Sequence, residues 1–117
     1  MIKLLEDTLE DIMEIRIAGK INQEDYDIIN PTLEKITQEY KHPKAYVEIS
    51  DVDIPTLQMV WEEFQKTPDF KKLEKCAVIA SKEWQETFDK LYGNQTNPKV
   101  KYFHIDEKAR AKSWLKS

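Results

Sequence analysis

The sequence predicts an α/β fold in a single domain. Short apolar segments typical of strands alternate along the chain with longer segments. In the longer segments apolar residues recur every three or four positions, as in helices. This alternation predicts parallel strands joined by right-handed crossovers. A length of 117 residues suits one core, and 40% hydrophobic with 34% charged residues is typical of a folded chain. We expect residues 1–117 to form one domain with the order β-β-α-β-α-β-α-β-α.

The first two predicted strands form an antiparallel hairpin. Ile2–Glu6 is a short apolar run, and the polar residues 7–10 can make a turn. In the segment that follows, apolar residues alternate with Glu14 and Arg16, which indicates a strand with one buried face and ends at Gly19. The remaining strands are expected to be parallel, so the sheet is predicted to be mostly parallel.

The first helix is predicted from about residue 23 to residue 41. Asn22 followed by Asp25 resembles a helix-capping pair, although the usual second residue is Glu or Gln. An apolar stripe follows at helical spacing, made of Tyr26, Ile29, Leu33, Ile36 and Tyr40. Pro31 lies inside this segment, so we expect either one kinked helix or two short helices.

The rest of the chain repeats the strand–helix pattern. Strands are predicted at Lys44–Ser50, Lys75–Ala80 and Val100–Ile105. Pro55 suits the first turn of the helix that contains Trp61, and Pro68 should end or bend that helix. Further helices are predicted after Ser81, with Trp84, Phe88 and Leu91, and after Asp106 as the cap, with Ala109, Ala111, Trp114 and Leu115.

One face of the predicted sheet carries polar side chains. Alternation places Glu14, Arg16, Tyr46 and Glu48 on the same side of neighbouring strands. A parallel sheet covered by helices on both sides should show continuous apolar strands instead. We therefore expect part of this face to lie under no helix and to meet solvent or a partner.

The composition excludes several classes of function. The net charge of −4 speaks against nucleic acid as the main partner, and no apolar run approaches the roughly 20 residues of a membrane span. The start of the chain lacks the pattern of a secretory signal, and one cysteine cannot form an intramolecular disulfide, so we expect a cytoplasmic protein. Residues 64–117 hold 12 basic and 7 acidic side chains, and their lysines could make peripheral contact with anionic lipids.

The sequence offers no arrangement typical of a catalytic centre. It has no glycine-rich phosphate loop and no metal-ligand spacing, and we expect no cofactor. Cys76 is predicted to pack in the core. His104, near the carboxyl end of the last strand, could carry a proton, or it could be a strand histidine that makes a hydrogen bond. We therefore expect a protein that is not an enzyme.

An aromatic helix provides the candidate ligand pocket. Trp61 and Phe64 lie on the apolar stripe of the second helix, with Met59 beside them. Core packing is one role for these side chains. Lining a pocket near the carboxyl ends of the strands, together with His104, is the other.

Several segments carry a resemblance to a known family. They are Arg16–Ile21 before Glu24–Tyr26, Pro31, Val47–Ile49, Trp61–Phe64, Lys82–Trp84 and Ala109–Leu115. With these segments the chain resembles the SpoIIAA-like family, which is grouped with STAS domains (sulphate transporter and anti-sigma-factor antagonist) and CRAL-TRIO lipid-transfer domains. The resemblance implies strands in sequential order and helices mainly on one face. It also implies a function in binding, and not in chemistry.

Two hypotheses for function follow from the resemblance. The first is a non-enzymatic domain, in a bacterial protein, that binds an apolar or lipid-like small molecule. The alternative is a regulatory protein-interaction domain of STAS type. Phosphorylated STAS proteins carry Asp-Ser-Ser-Gly after the third strand, and this chain lacks it, so Ser50 and Thr56 are the only nearby hydroxyls that could be phosphorylated. A homodimer is also expected, because a half-polar sheet with an edge strand tends to be paired.

Overall fold

The computed structural model describes residues 1–5, 11–81, 86–87 and 98–117. Its strands are β1 (Ile2–Leu4), β2 (Ile12–Ala18), β3 (Lys44–Ser50), β4 (Lys75–Ala80) and β5 (Lys99–His104). They form a sheet with the order β1-β2-β3-β4-β5, in which β1 pairs antiparallel with β2 and the other neighbours are parallel. The predicted α/β class, the N-terminal hairpin and the sequential strand order are confirmed.

The helices lie between and after these strands. They are α1 (Gln23–Glu39), α2 (Ile54–Lys66), α3 (Pro68–Lys71) and α4 (Lys108–Lys116), with a 3₁₀ turn at Ile105–Glu107 before α4. Trp84, Phe88 and Leu91 of the predicted third helix lie outside the described residues, as does the predicted turn at residues 7–10. Among the described helices, none combines the length with the apolar character that crossing a bilayer requires.

The start of α1 confirms the predicted cap. The Asn22 side chain accepts a hydrogen bond from the Asp25 backbone N–H (3.2 Å), and the Asp25 carboxylate accepts one from the Asn22 N–H (2.8 Å). Asp25 also accepts a hydrogen bond from the Ile2 backbone N–H (3.2 Å). The Asn22 hydrogen bond lowers the pKa of Asp25 against the effect of burial. Pro31 lies inside one continuous helix, so the alternative of two short helices is wrong.

Helices α1 to α3 cover one face of the sheet, here called the first face. In a sheet whose strands follow chain order, right-handed crossovers place successive connecting helices on the same side. The first face contributes Met13, Ile15, Ile17, Ala45, Val47, Ile49, Cys76, Val78 and Ala80 to the main core. The helices add Ile29, Leu33, Leu57, Val60, Trp61, Phe64 and Phe70. The main core is therefore apolar on both sides of this interface.

Helix α4 lies on the opposite side of the sheet, here called the second face. Its fully buried Ala111 and Leu115 pack against the second-face residues Ile12, Tyr46, Ala77, Ile79 and Phe103. The expectation that the polar part of this face lies under no helix is wrong at Glu14, which is only 2% exposed. The charged side chains predicted to share this face do share it, but α4 covers them in part and supplies their ion-pair partners.

The beginning of α4 differs from the prediction. Asp106 was expected to cap this helix, but it lies within the 3₁₀ turn, and His104 is the residue that caps the turn. The His104 ring accepts a hydrogen bond from the Asp106 backbone N–H (3.3 Å), and the Glu107 carboxylate accepts one from the His104 N–H (3.0 Å). A ring nitrogen can act as an acceptor in the way that a serine or aspartate oxygen does, so composition alone did not indicate this cap.

Candidate functional site

The aromatic residues predicted to line a pocket pack inside the main core. The Trp61 and Phe70 rings meet edge to face with centroids 5.3 Å apart, and Phe64 stacks on Phe70 at 5.3 Å. Trp61 and Phe64 are each 6% exposed, so the structure brings them together as core residues. Met59 is 54% exposed and His104 belongs to the turn before α4, so neither is part of this aromatic cluster.

The connection from β3 to α2, with the first two turns of α2, forms an exposed surface here called the β3–α2 corner. Ser50 ends β3 with its side chain exposed, and Asp51 follows in the left-handed region (φ 50°), which aspartate tolerates better than most residues. The Asp53 side chain caps α2 by accepting a hydrogen bond from the Thr56 N–H (2.7 Å). The apolar residues Ile54 and Met59 are 46% and 54% exposed.

A second feature is a cleft of about 260 Å³ on the second face, here called the carboxyl-edge cleft. It lies where β2, β3 and β4 end and where the 3₁₀ turn leads into α4. Its lining residues are Arg16, Glu48, Ile49, Ser50, Ile79, Ile105 and Lys108. Open sheets with parallel strands commonly bind ligands outside the carboxyl ends of their strands, so the position favours a binding role.

Glu48 is the centre of a charged cluster in this cleft. Arg16 donates two hydrogen bonds to Glu48 Oε2, from Nε (3.1 Å) and Nη2 (2.9 Å). The Tyr46 hydroxyl donates to Oε1 (2.9 Å), and Lys108 Nζ lies 3.3 Å from the same oxygen. Burial alone would raise the pKa of Glu48, but these donors outweigh it and hold the pKa below its ordinary value. Glu48 is therefore an anion that fixes two cations in place.

A neighbouring ion pair fastens the middle of α4. Lys112 Nζ lies 3.2 Å from Glu14 Oε1, and the same ammonium lies 5.2 Å above the Tyr46 ring. The Glu14 side chain is 3% exposed, so its charge is buried beneath the helix. Lys108 and Lys112 are four residues apart and therefore lie on one side of α4, where they pair with Glu48 of β3 and Glu14 of β2.

A comparison with models of known protein families identifies the family of this chain. The model of the SpoIIAA-like family matches residues 12–116, which is nearly the whole described fold. The chain belongs to the SpoIIAA-like family. No curated protein and no solved structure matches it. The resemblance noted from the sequence is therefore confirmed for the family.

Several basic residues of this SpoIIAA-like domain form ion pairs with acidic side chains. Ion pairs join Lys66 to Glu63, Lys72 to Asp69 and Arg110 to Glu107, in addition to the pairs of Lys108 and Lys112. Lys75 instead donates a hydrogen bond to the Trp114 carbonyl at the end of α4 (2.9 Å). Much of the predicted basic surface is thus neutralised locally, which weakens the attraction that an anionic membrane would exert.

In the described residues, the cysteine and the acidic and histidine side chains show no arrangement for a reactive thiolate or a metal site. Cys76 is completely buried, and this burial raises the pKa of its thiol to about 12, so the reactive thiolate is not formed at neutral pH. Within the described part of the chain, no three His, Cys, Asp or Glu side chains are placed to hold a metal ion. In the described part of the chain, the carboxyl-edge cleft and the β3–α2 corner are two features with exposed side chains that could meet a ligand.

Proposed function

We propose that this SpoIIAA-like domain is a non-enzymatic regulatory domain that binds a partner protein through the β3–α2 corner. STAS domains generally mediate protein interactions. The observation that carries the proposal is the exposure of Ile54 and Met59 within the first two turns of α2. Apolar surface that leaves water on association contributes about 25 cal/mol per Å², so these two side chains can supply the centre of an interface.

The charges around the corner indicate what kind of partner fits. Asp51 and Asp53 are exposed before α2, and Glu62 and Glu63 are exposed on its outer side, where Lys66 partly balances Glu63. Complementary charge steers association and suppresses wrong partners. The proposed partner therefore presents an apolar centre with a basic rim.

Of the two hydroxyls predicted as phosphorylation sites, the contacts favour Ser50 in this proposal. Ser50 is exposed and lines the carboxyl-edge cleft beside Arg16 and Lys108, which could pair with a phosphate. Thr56 lies against the Asp53 carboxylate, whose pKa is lowered by hydrogen bonds from the Thr56 side chain and backbone. A phosphate on Thr56 would break the side-chain bond and place two anions together. Phosphorylation of Ser50 would add charge beside the corner and change its affinity for the partner.

The test is affinity capture, in which the wild type and matched variants are used as bait in lysates of cells that make the protein. Ile54→Asp and Met59→Asp place a charge in the corner, and Ile28→Asp places the same charge on α1 at a residue that is 50% exposed. We expect one protein to be retained by the wild type and by Ile28→Asp, and to be reduced about tenfold or more by each corner variant. Equal retention by all variants, or no retained protein at all, would refute the proposal.

A lipid-like ligand is the second candidate function, and the apolar wall of the carboxyl-edge cleft favours it. The side chains of Ile79 and Ile105 line the cleft on the second face. The volume of about 260 Å³ is slightly below the roughly 300–1,000 Å³ of sites for drug-sized ligands, so a bound lipid would leave most of its chain outside. Native mass spectrometry of protein purified from its own cells should show an added mass that organic extraction removes. Protein of the bare chain mass would contradict this candidate.

A homodimer is also proposed, and the two edge strands of the sheet limit how it could form. The edge strand β1 has three residues, and the other edge strand, β5, carries the exposed residues Lys99 and Lys101. Short edges and lysines oppose edge-to-edge pairing. A dimer would therefore use helix surfaces such as the β3–α2 corner. Light scattering should give twice the chain mass for the wild type and the chain mass for Met59→Asp, whereas a monomeric wild type rejects the dimer.

A further inference from the structure

The carboxyl-edge cleft exposes its cations and buries its anion. The Arg16 and Lys108 side chains are 42% and 45% exposed, whereas the Glu48 side chain between them is 13% exposed. The three charges leave one net positive charge, and that charge faces solvent because the carboxylate is the buried member. A molecule entering the cleft meets the guanidinium and the ammonium first.

The positions of these cations are fixed before any ligand arrives. Glu48 holds Arg16 through two hydrogen bonds to one oxygen, and the Tyr46 hydroxyl holds the other oxygen. Arginine has five N–H donors, so three remain after the two bonds to Glu48. Side chains that are already ordered lose less conformational entropy when a ligand binds, and arginine matches phosphate and carboxylate groups in two-point contacts.

We propose that the carboxyl-edge cleft is a binding site for a small organic anion, in which a phosphate or carboxylate group is joined to a compact apolar group. Arg16 and Lys108 bind the charged group, and the exposed Ser50 hydroxyl adds a donor at the rim. The apolar group lies against Ile79 and Ile105, whose side chains belong to the second face and the 3₁₀ turn. The small volume of the cleft selects a small molecule. This site does not depend on the proposed protein partner, which is assigned to Ile54 and Met59.

The test is a titration with phenyl phosphate at low ionic strength, followed through backbone amide chemical shifts. We expect saturable shifts at Ile49, Ser50 and Ile105. Lys108→Gln should weaken binding about tenfold, because it removes one of the two cations that bind the charged group. Arg110→Gln is the matched control, because it removes the same charge from a position two residues farther along α4. The Arg110 side chain is 73% exposed and pairs with Glu107, which does not line the cleft. It should change the affinity by about twofold at most.

A second variant keeps both cations and changes the wall. Ile105 is 49% exposed, so Ile105→Glu should fold, and its carboxylate should abolish phenyl phosphate binding by repulsion. Shifts that do not saturate, shifts spread over surface lysines outside the cleft, or equal losses in Lys108→Gln and Arg110→Gln would each overturn the proposal.

Two further probes identify the source of the anion. Inorganic phosphate should bind about fivefold or more weakly than phenyl phosphate, because it lacks a group for the apolar wall; equal affinities would refute the role of that wall. Sedimentation with phosphatidylcholine vesicles, with and without phosphatidic acid, tests the same phosphate chemistry on a lipid. Binding that needs phosphatidic acid and is lost in Lys108→Gln supports a lipid source. Phenyl phosphate binding with no vesicle binding supports a free metabolite.

Discussion

The two faces of the sheet are held by different forces. The first face meets α1, α2 and α3 mainly through apolar side chains, with Ile15, Ile29 and Cys76 completely buried. The second face meets only α4 among the described helices, and there two acids of the sheet pair with two lysines of the helix around a smaller apolar centre. Hydrophobic burial therefore dominates one interface, and charge pairing sets the position of the helix at the other.

This difference indicates which part of the domain can open locally while the rest stays folded. Apolar burial is insensitive to pH and depends on close packing, whereas ion pairs respond to protonation, salt and the loss of one partner. Helix α4 has nine residues, of which only Ala111 and Leu115 are buried. We expect α4 to be the part of the described chain that opens most easily.

The largest loss of stability should come from the first face. Trp61→Ala removes a core side chain that contacts Phe70, and the cavity left behind should lower the free energy of unfolding by about 3–5 kcal/mol. Met59→Ala, on the same helix and 54% exposed, should change it by about 0.5 kcal/mol or less. Urea unfolding followed by circular dichroism measures both. Similar losses for the two variants would show that Trp61 is not a core residue.

Breaking the Glu14–Lys112 pair should give the next largest effect. Lys112→Ala leaves the Glu14 carboxylate buried without its lysine, which should cost about 1–3 kcal/mol in free energy of unfolding. Arg110→Ala, in the same helix but with an exposed pair, should cost about 0.5 kcal/mol or less. If denaturant titration gives equal values for both variants, Glu14 is not held by α4 as the structure describes.

Acid should weaken the second face through Glu48. Its pKa is lower in the folded chain than the ordinary value of 4.5, so its ion pairs add stability that is fully present above pH 4.5 and is lost as the pH falls through the lower folded value. Thermal unfolding between about pH 6 and about pH 3 should show this loss, and Glu48→Gln should make the curve flatter over that interval. An identical pH dependence in the variant would assign the loss to other carboxylates.

Salt should produce the smallest effect, confined to one helix. At about 1 M NaCl the Debye length is near 3 Å, which screens the exposed ends of the Lys108 and Lys112 pairs. Amide hydrogen exchange at Ala111 and Leu115 should become a few times faster, while Ile29 and Leu33 in α1 should be unaffected. Equal acceleration in both helices would mean that α4 does not open separately.

The sequence predicted those parts of the fold that depend on neighbouring residues. The strands Lys44–Ser50 and Lys75–Ala80 were predicted with their observed bounds, because alternation and continuous apolar character are local properties. The cap of Asn22 and Asp25 was also local. The end of the first helix at Glu39 was placed two residues too late, because Tyr40 continues the apolar stripe while its backbone is already extended.

Only the strand residues of the charged cluster could be predicted from the sequence. Alternation placed Glu14, Arg16 and Glu48 on one face. Lys108 and Lys112, which pair with the two acids, follow much later in the chain. Nothing local shows that a helix beginning at Lys108 lies on those strands. The exposure of Met59 and the burial of Trp61 follow from the orientation of α2, which the three-to-four spacing gives only approximately. The predicted ligand pocket around Trp61 therefore stays a prediction, while the cleft was found from the structure.

The agreement between strand order and chain order has a consequence for synthesis on the ribosome. Each parallel strand that emerges finds its neighbour already made, so the sheet can grow from β2 to β5 in the order of translation. Helix α4 follows the five strands of the described sheet, so Glu14 and Glu48 lack Lys108 and Lys112 on the nascent chain until α4 has been made. Carboxylates on the uncovered face keep that intermediate charged, which opposes its aggregation until α4 packs on the sheet.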